Sequence, residues 1–165
     1  MESKKGSISD LPFIMGGIFS VAITVLVVTL LLNNLNAKIQ DTDIFDTPAK
    51  AASDKMTNDF PEVMDGGVLF IFFCMVIISL VLASLVPVHP VFLVFFLLEW
   101  VLLIYVGGAI SNTYQTIIES PVFVTEAGQY VVTSFFFRYF PYVIGIVGAI
   151  LAIIMYKTKQ RIMYG

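Results

Sequence analysis

Two apolar runs, Val68 to Val86 and Val91 to about Ile110, meet at Pro87-Val88-His89-Pro90, and that junction does most to limit what this chain can become. Each run is close to the 20 or so residues that a helix needs to cross the hydrocarbon of a bilayer. The two prolines each remove a backbone donor and disfavour helical geometry in the residue before them, so one continuous helix is impossible and the chain must reverse. Inside lipid every backbone polar group has to be satisfied within the segment, so each arm is expected to be a helix and the whole a transmembrane hairpin. The second arm carries a single carboxylate, Glu99, next to Trp100.

Two further runs flank the hairpin. Leu11 to Leu32 contains no charge and follows Lys4 and Lys5. A basic start and an apolar run also describe an export signal, but this run exceeds a typical signal core, and Asn33-Asn34-Leu35-Asn36 follows it in place of a small-residue cleavage site. A retained helix is the expectation. Pro141 opens the last run, which reaches about Tyr156 and is short for a straight crossing, so the aromatic residues before it should add a turn or two. Only 13% of the 165 residues are charged and mean hydropathy is +0.92. A soluble domain carries about twice that charge. The fold class expected is therefore an all-α integral membrane protein, one domain over residues 1–165, with four transmembrane helices, a central helical hairpin and short interfacial helices.

Between the runs, residues 37–67 form an acidic, water-facing segment with Asp41, Asp43, Asp46, Asp54, Asp59, Glu62 and Asp65. Thr47 before Pro48 reads as a helix cap, and Ala49 to Met56 as a short surface helix. Asp41, Asp43 and Asp46 invite a calcium reading, but the glycine and closing glutamate of an EF-hand are missing, which leaves a solvated acidic surface. Beyond Gly107-Gly108 the third helix is expected to run on toward Glu119, because Ile110, Tyr114, Ile117 and Ile118 keep a helical stripe until Ser120-Pro121. Thr125 ahead of Glu126 resembles the cap of a further short helix. Residues 121–140, with Tyr130, Phe135, Phe136, Phe137, Tyr139 and Phe140 around Arg138, suit the headgroup boundary, where rings sit half wet and an arginine snorkels. Four crossings bring both termini to one side. Lys4, Lys5, Lys157, Lys159 and Arg161 mark that side as cytoplasmic or its equivalent.

Glu99 is the candidate site residue, because an ionised carboxylate in hydrocarbon costs several kcal/mol unless it is paired or faces a bundle interior. It is open to three readings: a proton carrier, a partner for Arg138 or His89 within or between subunits, or a neutral acid bonded to a nearby backbone. The structural readings are preferred, since no further relay residues accompany it. His89 reads as a solvated turn residue in preference to a pH switch. Small residues four or so apart offer helix-packing seams: Gly16 with Ser20, Ser79 with Ala83, and Gly145, Gly148, Ala149 and Ala152 in the last run. No phosphate loop, nucleophile elbow or paired-histidine motif is present, so no catalytic, cofactor-binding or metal residue is assigned and an enzyme acting alone is not expected. With a net charge of −3, one cysteine (Cys74) and no basic block, neither a disulfide nor nucleic-acid binding is expected, and no small-molecule substrate suggests itself.

The order Pro87-Val88-His89-Pro90-Val91-Phe92, Ile110-Ser111-Asn112-Thr113-Tyr114, Ser120-Pro121 and an aromatic stretch ending Phe140-Pro141 before a glycine-containing span resembles small multi-span membrane proteins of phages and other viruses with tailless or membrane-containing virions. The resemblance covers residues 68–157 and brings no active-site residues with it. It implies a structural protein of a virion membrane, first inserted in the host cytoplasmic membrane and packed in many copies with itself or with capsid proteins. A holin-like pore or a proton-translocating oligomer using Glu99 is the alternative, and an accessory subunit of a membrane enzyme complex the third.

Overall fold

A computed structural model describes residues 11–85 and 90–164. Among these the chain is helical almost throughout, with no strand, in six elements: α1 (Leu11–Asp41), α2 (Thr47–Leu85), α3 (Pro90–Ile118), α4 (Val124–Ala127), α5 (Val131–Arg138) and α6 (Phe140–Tyr164). The stretches Phe13–Asp41, Thr47–Val81, Leu93–Ile118 and Phe140–Lys157 are long and apolar enough to cross a membrane. The protein is an all-α, four-span membrane protein.

Shared levels fix the helix directions. At one end Asp65 meets Val132 and Thr133, and Ser111 meets Arg138. At the other, Trp100 meets Ile144 and Gly148. Hence α1 and α3 run one way and α2 and α6 the other, so the start of α1 and the end of α6 face the same side. Laterally, α1 packs on α2 and α3, and α6 packs on the same two. The helices α2 and α3, joined through residues 86–89, therefore stand diagonally across the bundle. Their hairpin is a matter of connectivity more than of contact.

Three of the long helices exceed their expected ends. The acidic segment is not a loop carrying a short helix at 49–56: α2 continues without a break from Thr47 into the span, through Pro61 and Gly66-Gly67. Its glycines keep negative φ. Its start is capped by Asp46, whose Oδ1 accepts the Ala49 N–H at 3.1 Å, and not by Thr47. The last nine residues of α1 pair with this extension in a stalk. Asn36 binds Asp54 (3.3 Å) and Ser53 (2.9 Å), while Gln40 and Lys50 exchange side-chain-to-carbonyl bonds, both 2.9 Å. These contacts let polar sequence stay helical outside the bilayer. The last span also exceeds its expected 16 residues, because α6 starts at Phe140 and runs past Lys157.

The short helices α4 and α5 close the stalk-side end of the bundle. Ser120 ends α3, its carbonyl accepting the N–H groups of Phe123 and Val124. The cap expected at Thr125 is absent; α4 opens after Phe123 with no side-chain cap. The aromatic segment departs further from expectation. In place of a half-wet belt, Tyr130, Phe136, Phe137 and Phe140 are buried, while Phe135, Tyr139 and Arg138 face outward. Phe137 stacks on Tyr114 (centroids 4.5 Å apart) and meets Phe19 edge-on, and Phe136 lies 4.6 Å from Phe72. Aromatic pairs of this kind add about 0.5–1.5 kcal/mol each beyond their buried area. One face of α5 thus plugs the space that four diverging helices leave open.

Candidate functional site

On the stalk side of the plug lies a belt of buried polar side chains. Its centre is Asp65 on α2, whose carboxylate oxygens accept the backbone N–H groups of Val132 (2.9 Å) and Thr133 (2.7 Å). The first N–H groups of any helix lack an internal partner, and Tyr130 at the cap position of α5 offers none from its side chain. Asp65 supplies it from another element, and its negative charge suits the positive end of α5. Thr133 Oγ1 returns a bond to the Asp65 carbonyl at 3.3 Å. A carboxylate removed from water is stable here because charge-assisted bonds replace its hydration.

Around this lock, α1 contributes Thr29 and Asn33. Thr29 donates its only proton to the Val25 carbonyl at 2.9 Å, so the hydroxyl of Tyr130, bonded to Thr29 Oγ1, must be the donor of that pair. Burial holds the Tyr130 phenol above its ordinary range, with the Thr29 bond opposing and the Asp65 charge adding to the shift. Asn33 Nδ2 donates to Oε1 of buried Glu126 at 3.3 Å. On α3, Ser111 Oγ donates to the Arg138 carbonyl at 3.2 Å, and Tyr114 lies 3.5 Å from Ser134 Oγ. Every buried side-chain polar atom among the described residues has a partner. Chemically, the belt joins α2 and α3 to α5 and α1 to Tyr130 and Glu126 just before it, with its acids accepting bonds. No grouping of three metal-ligand side chains occurs among the described residues.

The residues singled out by sequence sit elsewhere. Glu99 lies twelve residues before Ser111, about 18 Å lower along α3, whereas the Arg138 backbone is level with Ser111. The pairing of Glu99 with Arg138 within one chain is thereby corrected: no pair of side chains spans that gap, and the Arg138 side chain is exposed. Among the described residues no hydrogen bond or ion pair reaches half-buried Glu99. Helical spacing puts it on the flank of α3 that carries Thr113 and Ile117, which border α1. Parallel α1 passes Gly107 at Met15. Its first described residue, Leu11, is therefore level with Leu103, and Glu99 lies a further turn beyond. His89 falls outside the described residues.

The small residues divide. Gly148 is buried against Trp100: a Cβ there would fall inside the indole, whose Nε1 donates to the Ile144 carbonyl at 3.2 Å. Gly16 and Ser20 face outward, with open space where a Gly16 Cβ would stand. Gly145, Ala149, Ala152, Ser79 and Ala83 are half-buried, and no atom lies within 4 Å of a Gly145 Cβ. Gly107, not singled out by sequence, permits the close approach of Ile144, Met15 and Phe140. Asp65, Thr29, Tyr130 and Glu126 were equally inconspicuous. Their one sequence signal is polarity at the edge of apolar runs with no cation nearby.

Fold and belt together define a class, a four-span helical membrane protein with one end closed by a polar and aromatic lid. Comparison with protein-family models, curated proteins and solved structures finds no match to this chain.

Proposed function

We propose that this chain is a non-enzymatic structural or assembly protein of a membrane, packed in multiple copies, and that the membrane is that of a virion, reached through a host cytoplasmic membrane with both termini on the cytoplasmic side. One contrast carries the reading. Inward polar groups are engaged in holding the bundle's own elements together, whereas Glu99 and the Gly16–Ser20 seam are left for something outside the described chain. Close helix approach at small residues is how membrane helices associate when lipid removes the hydrophobic driving force. The acidic stalk, about 27 Å from Thr47 to Asp65, suits contact with soluble chains on the far side of the bilayer.

The test is intermembrane-free crosslinking of copies. In a Cys74→Ser background, Ser20→Cys is expected to form a disulfide dimer in native membranes, whereas Ile44→Cys at the stalk tip is not. Equal yields at both positions would reduce contact at the seam to random collision and overturn the reading. A second reading, ion or proton translocation, draws on one observation, that Glu99 lies in an apolar span without a described partner. Vesicle flux lost in Glu99→Gln would favour it over assembly.

A further inference from the structure

Where the four spans cross below the aromatic plug they leave a cavity of about 120 Å³ on the bundle axis, between diagonal helices α2 and α3 and walled also by α1 and α6. The wall has only two side-chain polar groups, and both are occupied. Ser79 Oγ donates to the Met75 carbonyl at 2.8 Å and Trp100 Nε1 to Ile144. Water needs two to four polar partners to stay in such a space, and none is free. The volume is a little under the roughly 150 Å³ of an engineered apolar cavity that stays dry and takes up benzene. Met15 and Met75, unbranched and adaptable, form part of the lining.

Access is lateral. On the α1–α2 side an apolar groove bordered by exposed Val21 and Ile71 shares Ile14, Ile18 and Met75 with the cavity wall, which connects the cavity to the outer face of the bundle. Buried Phe96 and half-buried Ser79 line the end of the cavity away from the plug. An apolar chamber at acyl-chain depth, with a lateral opening and no polar anchor, selects for unbranched hydrocarbon and against any ligand carrying a polar head into the site. We propose that this chamber holds the end of one acyl chain of a bilayer lipid, its headgroup remaining outside the protein.

Trp100, the only tryptophan of the chain, lies in the wall and reports occupancy directly. The full chain is reconstituted in phosphatidylcholine vesicles with or without bromine atoms on one acyl chain, and Trp100 emission is compared. Occupancy predicts strong quenching by the brominated lipid, reduced at least about threefold in Ser79→Phe, which fills the chamber, and unchanged in Leu98→Ala on the outer face. Val147→Phe fills the chamber from α6 and serves if Ser79→Phe does not fold by circular dichroism. Quenching equal in the filled variants and the wild type would assign it to lipid around the protein and overturn the proposal. So would the absence of quenching.

Discussion

Replacing Asp65 with alanine leaves the N–H groups of the second and third residues of α5, Val132 and buried Thr133, without their acceptor. Unmade bonds to buried groups cost about 1–3 kcal/mol, so Asp65→Ala is expected to lower the melting temperature of the solubilised protein markedly, with Asp65→Asn, which keeps one acceptor, in between. Circular dichroism against temperature reads both. Tyr130 gives a pH dependence with a defined sign. Its phenol, held above the usual value of 10 by burial, favours the folded state while neutral. That contribution is complete below pH 10 and is lost as pH rises through the higher folded value. Thr29→Val removes the bond that opposes this rise, so ionisation of Tyr130 in the folded protein, followed by the absorbance of ionised tyrosine, should move to higher pH. Little of this was legible in the sequence. Asp65 is one of seven acids in a segment that reads as solvated, and its partners lie 67 and 68 residues away. Glu99 drew notice because it interrupts an apolar run, which marks an unusual residue without saying what it touches.

At the scale of elements, the spans were readable because a run of about 20 apolar residues has few other fates, and the end of α3 at Ser120-Pro121 was readable from turn chemistry. The continuity of α2 was not. Pro61 and Gly66-Gly67 are local signals for interruption, and they are overridden by pairing with α1 on the stalk side of them and by the clamp of Asp65, between them, on α5. Asn36 is the test of that pairing, since it bonds both Ser53 and Asp54. Asn36→Ala is expected to cost the stalk about 1 kcal/mol, which is about fivefold faster amide exchange in residues 47–60. Exchange in α6 should not change. The aromatic segment was misjudged for a related reason: amphipathic α5 has the composition of an interfacial helix, and only the gap between the four spans decides that its rings go inward.

For the whole molecule, the order of helices around the bundle was hidden, because α1, α3 and α6 are apolar on nearly every side and no stripe marks a neighbour. Lipid tails are as apolar as leucine, so the bundle is held by close packing at Gly107 and Gly148 and by the belt. The proposed packing of several copies can be tested at Glu99 on this scale. Glu99→Gln keeps the hydrogen-bonding shape and is expected to retain the oligomer in size-exclusion chromatography, while Glu99→Lys should reduce membrane-inserted yield; equal loss in both would show that the negative charge itself is required. The geometry of α2 has a mechanical corollary. From Asp65 the helix extends about 27 Å to its stalk end and about 30 Å to Leu85. It is a lever with nearly equal arms, pivoted at the residue that clamps α5. A sideways load on the acidic tip is delivered at similar amplitude to the opposite arm within the bilayer, and the shaft yields first at Pro61, where one backbone rung is missing.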